Sequence, residues 1–114
     1  MKTNPGAASL ERHYQQLVAS LAGTGYISQG SVLDRSLLRT PRSGYQWTRK
    51  VAGKTVTVAL SAEQYSSFAA AVKNRRRLQQ TIQKMERLSR RILFENLPDT
   101  HRRKHLGKKV LGII

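Results

Sequence analysis

Lys73, Arg77, Lys84, Arg87 and Arg91 recur at spacings of four, seven, three and four residues, so a helix through them carries one cationic row. Such a row can neutralise a line of phosphates and release the counterions condensed on them. Arg75, Arg76 and Arg90 add charge around it. The solvated face of an ordinary helix interleaves Glu with Lys. Here Glu86 is the only acidic residue between Ala69 and Arg91, which favours a bound anion over plain solvation.

A second constellation alternates along a strand: Tyr45, Trp47 and Arg49. On an open sheet face the two rings would stack on unpaired bases while Arg49, Lys50 and Lys54 hold the backbone. The alternative places the rings in the core, because a helix must cover one face of the sheet. Trp47 is expected at the sheet edge, touching ligand, since Val56, Val58 and Leu60 on the next strand offer a sufficient core for one helix. Further cations lie in a loop (Arg35, Arg39, Arg42) and in the C-terminal tail (Arg102, Arg103, Lys104, Lys108, Lys109).

Other chemistries find little support. The six acidic residues are scattered, with no close pair for a two-metal site, and no glycine-rich phosphate loop is present. His101 and His105 stand four apart without a third ligand, and cysteine is absent. The expectation is a non-enzymatic protein with no metal and no cofactor.

Overall charge points the same way. There are 21 Lys and Arg against 6 Asp and Glu in 114 residues, a net charge of +15 and a pI near 11.4. Self-repulsion on this scale destabilises a compact fold unless a polyanion offsets it, which makes nucleic acid the first partner to consider. Residues 1–60 hold eight basic and two acidic side chains, residues 61–114 thirteen and four, so the C-terminal half is the more basic. With 39% hydrophobic residues the chain can bury one modest core. No apolar run reaches the roughly 18 residues of a membrane span, and the first residues lack the apolar stretch of a secretion signal. The expected setting is cytoplasmic, away from membranes.

The elements that must position these residues can be read from periodicity. Leu10, Tyr14, Leu17 and Leu21 form the stripe of an amphipathic helix over about 7–22, with Gly23 and Gly25 at its end. Residues 26–33 read as a strand and 34–43 as a loop. In GYQWTRKVAGKTVTVALS, two alternating runs flank a turn at Ala52-Gly53, a hairpin. Ser61 with Gln64 makes a capping box, and one long helix follows from Ala62 to about Glu95, since no breaker precedes Pro98. Tyr65, Phe68 and Val72 lie on one side of that helix, whereas Leu78, Ile82, Met85 and Ile92 lie on a side rotated by roughly 100°. The first half is expected to pack on the sheet. The second is expected to pack on the first helix or on another copy, with Leu78, Ile82 and Met85 buried. The fold class is α+β: an N-terminal helix, a small antiparallel sheet of about three strands, a long basic C-terminal helix and a basic tail. Residues 1–97 form the domain, and 98–114 are expected to stay disordered until bound.

The stretches ISQGSVLDRS, GYQWTRKVAGKTVTVALSAEQYSSF and NRRRLQQTIQKMERLS, over about residues 26–90, resemble a family of short, functionally uncharacterised prokaryotic domains. The pattern YxWTRKVxGKTVTVxLSxEQ carries the likeness. Many of those domains occur in mobile-element or transposase-rich settings, and the resemblance implies the same helix, small sheet and long helix. Many also insert a cysteine-rich, zinc-knuckle-like loop before the YxWTRK strand. This chain has LLRTPRS there, so a metal role is not carried over.

Taken together, the residues suggest a nucleic-acid-binding subunit, RNA ahead of DNA, in a ribonucleoprotein or mobile-element-linked machine. No helix-turn-helix spacing is present, and a long helix beside a small sheet suits shape recognition. The alternatives are a homodimer or adaptor using Leu78, Ile82, Met85 and Ile92, or an accessory protein on double-stranded DNA.

Overall fold

Ala52 and Gly53 both hold positive φ, 50° and 80°, as a two-residue turn matched to the strand twist requires. The strands they join pair antiparallel as β2 (Tyr45–Val51) and β3 (Lys54–Leu60). β1 (Ser31–Asp34) pairs antiparallel with the other side of β2, giving the order β1-β2-β3. In the computed structural model, which describes residues 5–101 and 103–114, α1 (Pro5–Ser20) precedes the sheet, and α2 (Ala62–Asn96) and the short α3 (Lys108–Leu111) follow it. The fold is α+β. Its contacts gather into two compact units, Thr24–Leu78 and the pair of stretches Met1–Gly23 and Gln79–Ile114.

Within Thr24–Leu78 the sheet leans on the first part of α2. The pairing sets Tyr45 opposite Leu60, Trp47 opposite Val58 and Val32, and Arg49 opposite Val56. Directly paired residues share a face, so the aromatic residues and the valines form a single surface. That surface meets α2: Tyr45 stacks on Tyr65 with ring centroids 4.4 Å apart, and Trp47 tilts against Phe68 at 5.2 Å. Ala71 and Val72, about one turn beyond Phe68, are the buried hydrophobic residues of the described chain. The helix starts where the capping box places it. The Gln64 amide N–H donates to Ser61 Oγ (3.1 Å), and the Ser61 amide N–H donates back to Gln64 Oε1 (3.0 Å).

The first strand is shorter than its residue types suggest. Tyr26 and Ile27 lie outside it and exposed, because the segment is held by α2 instead of by the ladder. The Ser28 amide donates to the Ala71 carbonyl (3.2 Å), and Asn74 Nδ2 donates to the Tyr26 carbonyl (3.0 Å). Gly30 then turns the chain into β1 with φ +98°. A Cβ there would strike the Thr48 carbonyl and come within 2.7 Å of Trp47 Nε1. Gly30→Ala is therefore expected to destabilise this unit by about 2–3 kcal/mol, from backbone strain and collision together. A melting temperature lowered by roughly 10 °C would register it. After β1, the Asp34 carboxylate caps a 3-10 turn, Arg35–Leu37, accepting from the Ser36 hydroxyl (2.7 Å) and amide (3.0 Å). These bonds, the hydroxyl first, hold its carboxyl below the usual carboxylate value.

In the other unit, α1 ends in a 3-10 turn, Leu21–Gly23. Tyr14 shares an open groove with Ile82, Met85, Ser89 and Arg90 of α2. The helical partner expected for this part of α2 is thus α1, but the cover is partial. Met85 and Ile92 are half-buried, and Ile82 remains 40% exposed, against its expected burial. Leu78, which falls in the sheet-bearing unit, is half-buried as well.

The tail also departs from expectation, because it folds back. Arg103 lies over the Phe94 ring at 5.0 Å and pairs with Asp99 at 2.6 Å. Gly112 closes α3 in the left-handed region (φ 71°), with its amide donating to the carbonyls of Lys108 and Lys109. The Gly112 carbonyl in turn accepts from Arg90 Nε at 2.7 Å.

Candidate nucleic-acid interface

The cationic residues of α2 fall in both units. In Thr24–Leu78, Lys73, Arg76 and Arg77 are exposed and Arg75 is half-buried. Arg77 donates to Asn74 Oδ1 (2.9 Å), the residue that also holds the Tyr26 carbonyl, so part of its hydrogen-bonding capacity is spent locally.

The 79–96 part of α2 carries Lys84, Arg87 and Arg91 on one exposed side, at spacings of three and four. Arg91 pairs with Glu95 at 3.1 Å, an exposed i,i+4 contact worth only about 0.3–0.5 kcal/mol, which a phosphate can displace. Glu86, the nearest acid to Lys84 and Arg87, is engaged by Arg90 at 3.6 Å. Lys84 and Arg87 have neither an ion pair nor a side-chain hydrogen bond among the described residues. These two share their helix side with Arg91 and make a cationic row in which Arg91 is paired with Glu95 and Lys84 and Arg87 are not paired with any acid among the described residues. Arg90, expected to add charge around the row, is engaged locally: its Nε donates to the Gly112 carbonyl and its guanidinium pairs with Glu86.

The second constellation is corrected more fully. Tyr45 and Trp47 face α2, and Trp47 Nε1 donates to the Gln29 carbonyl at 3.0 Å. A ring already covered by Phe68, with its polar atom satisfied, is no platform for a base. Arg49 follows it inward, its guanidinium 5.5 Å from the Trp47 ring centroid and its Nε buried without a hydrogen-bond partner. Lys50 is exposed on the opposite face and Lys54 at the turn, so the five do not share a surface.

The remaining expected contacts are dispersed. Arg39 and Arg42 are exposed in the loop after β1, where Arg35 donates to Gln46 Oε1 at 3.2 Å and its carbonyl accepts from the Arg42 amide. Arg103 is committed to Phe94 and Asp99, Lys104 is exposed, and Arg102 lies outside the described residues. Among the described residues, no helix is long and apolar enough to cross a membrane. What residue patterns taken singly did not show is the anchoring pair Arg90 and Gly112 and the service of Gln29 to Trp47; the positive φ that Gly112 needs was the one local clue. Comparison with known protein families, curated proteins and solved structures returns no match.

Proposed function

We propose that this protein is a non-catalytic nucleic-acid-binding subunit that docks Lys84, Arg87 and Arg91 onto the sugar-phosphate backbone of structured RNA. The observation that carries the reading is the unneutralised state of Lys84 and Arg87 on a rigid helix. A row fixed by a helix loses little freedom on binding and reads backbone geometry, not base edges. With Tyr45 and Trp47 turned inward, the aromatic pair of β2 offers unpaired bases no stacking platform, which favours a folded or double-helical target over a single strand. The ribonucleoprotein or mobile-element setting is part of the same proposal and draws on the family resemblance. The test is a binding titration of the full chain against an RNA hairpin, a DNA duplex of the same length, single-stranded RNA and polyglutamate, each over a series of salt concentrations. Tightest binding to the hairpin with a steep salt slope supports the reading. Equal affinity for polyglutamate would assign the charge to an acidic protein partner.

That second reading has its own support. Ile82 (40%) and Leu93 (55%) stand exposed along the same part of α2, with Leu97 (51%) just past its end, and an adaptor would cover them with a partner helix.

A further inference from the structure

The sheet has one long open edge. β3 lies at the end of the order β1-β2-β3, and Lys54–Ala59 are exposed throughout. Natural sheets guard such edges with proline, bulges, inward charges or short strands. β3 runs KTVTVAL, seven residues with a single charge at its start. On the face that α2 covers, the cover stops short of it: Val56 is 38% exposed and Val58 42%.

The hydrogen-bond phase of this edge follows from the turn. In a hairpin closed by two residues, the flanking pair Val51 and Lys54 exchange both backbone bonds, and bonded and non-bonded pairs alternate from there. Lys54, Val56, Val58 and Leu60 therefore bond to β2, while the N–H and C=O groups of Thr55, Thr57 and Ala59 point to the open side. None of those three makes another backbone hydrogen bond outside the hairpin among the described residues.

From this we infer that β3 pairs with β3 of a second copy, antiparallel and centred on Thr57. In that register Thr57 faces its own counterpart and Thr55 faces Ala59, all of them residues whose backbone groups are free. Val56 falls opposite Val58 in the close, non-bonded positions, so the four half-exposed valines of the two copies cover one another on the helix-bearing face. Registers shifted by one residue would set an outward-pointing pair against an inward-pointing one and lose the bonds. The self-complementarity of TVTVA about its central threonine selects a second copy over an unrelated strand. The contact is isologous and uses up the β3 edge of each copy, so the assembly closes at two. Each copy carries +15, so association should strengthen with added salt, opposite in sign to polyanion binding. The pairing stands independently of the nucleic-acid reading.

Sedimentation of the full chain at raised salt tests it, alongside Thr57→Pro and Thr57→Cys. The wild type is expected at twice the monomer mass. Thr57→Pro removes only an outward N–H and should halve that mass while keeping the strand circular dichroism. Thr57→Cys, in a chain with no other cysteine, should give a disulfide-linked dimer on mild oxidation, because facing residues lie about 5.5 Å apart at such a pair. Thr48→Cys, one strand inward, should not. A wild type monomeric at every salt concentration overturns the pairing. So does a dimer that survives Thr57→Pro in folded form, or a dimer in which Thr57→Cys fails to cross-link. A dimer dispersed by Ile82→Asp and untouched by either Thr57 variant would place the interface on α2.

Discussion

Replacing Trp47 with alanine is expected to unfold the sheet-bearing unit. Truncating a core Trp costs about 3–5 kcal/mol; since Trp47 is half-buried, a loss near 3 kcal/mol is the appropriate expectation. The Nε1 bond to Gln29 adds about 1 kcal/mol, and Phe68 loses its ring partner. A unit whose buried hydrophobic residues are Ala71 and Val72 has little reserve against such a loss. The strand contribution to circular dichroism should vanish at room temperature. Trp47→Phe retains the ring pair and forfeits only the hydrogen bond, so it should stay folded with a modestly lower melting point. A Trp47→Ala protein that melts like the wild type would return the ring to the surface.

Changing Lys84, Arg87 and Arg91 together to glutamine is expected to weaken binding to structured RNA by about a hundredfold at 0.1 M salt. Each phosphate contact contributes roughly 0.7–0.9 to the slope of log affinity against log salt, so three contribute about 2–3. With the mutant and wild-type curves converging near 1 M, that slope difference becomes about two decades one decade of salt lower. The fold should tolerate the change, since all three side chains are exposed and substitutions at such sites usually shift stability by less than about 0.5 kcal/mol. Arg91 must first leave Glu95, so its share is the smallest of the three. An unchanged slope in a folded triple variant would remove this row from the interface.

Most of the architecture was legible because it is local. The Ser61 and Gln64 spacing announced the helix start, and Ala52-Gly53 announced the hairpin; both are contacts within four residues of one another. The inward turn of Trp47 was legible too, though only with the strands taken as a pair. A two-residue turn at 52–53 sets 51 against 54 and hence 47 against 58, which puts the ring on the valine face. Considered strand by strand, the aromatic row and the valine row looked like rivals for the core. The shortened β1 and the anchored tail were not legible. Ser28 is held by Ala71, and Gly112 by Arg90, and contacts of such sequence separation leave no periodic trace. The cationic row lies between these cases: helix geometry placed the charges on one side, but which of them nearby acids already occupy depended on side-chain geometry.

The division of the chain into two units has a kinetic consequence. Thr24–Leu78 is one uninterrupted stretch whose strands meet through a tight turn and whose helix starts one residue after β3 ends. Its nucleus needs only short loop closures and can form early. The other unit joins Met1–Gly23 to Gln79–Ile114, and bringing those stretches together closes a loop across all the residues between. If the intervening stretch is already folded, that loop is shorter and the entropy of closure smaller. The order of assembly is therefore set by connectivity: the interior stretch organises first, and the stretches on either side of it come together afterwards.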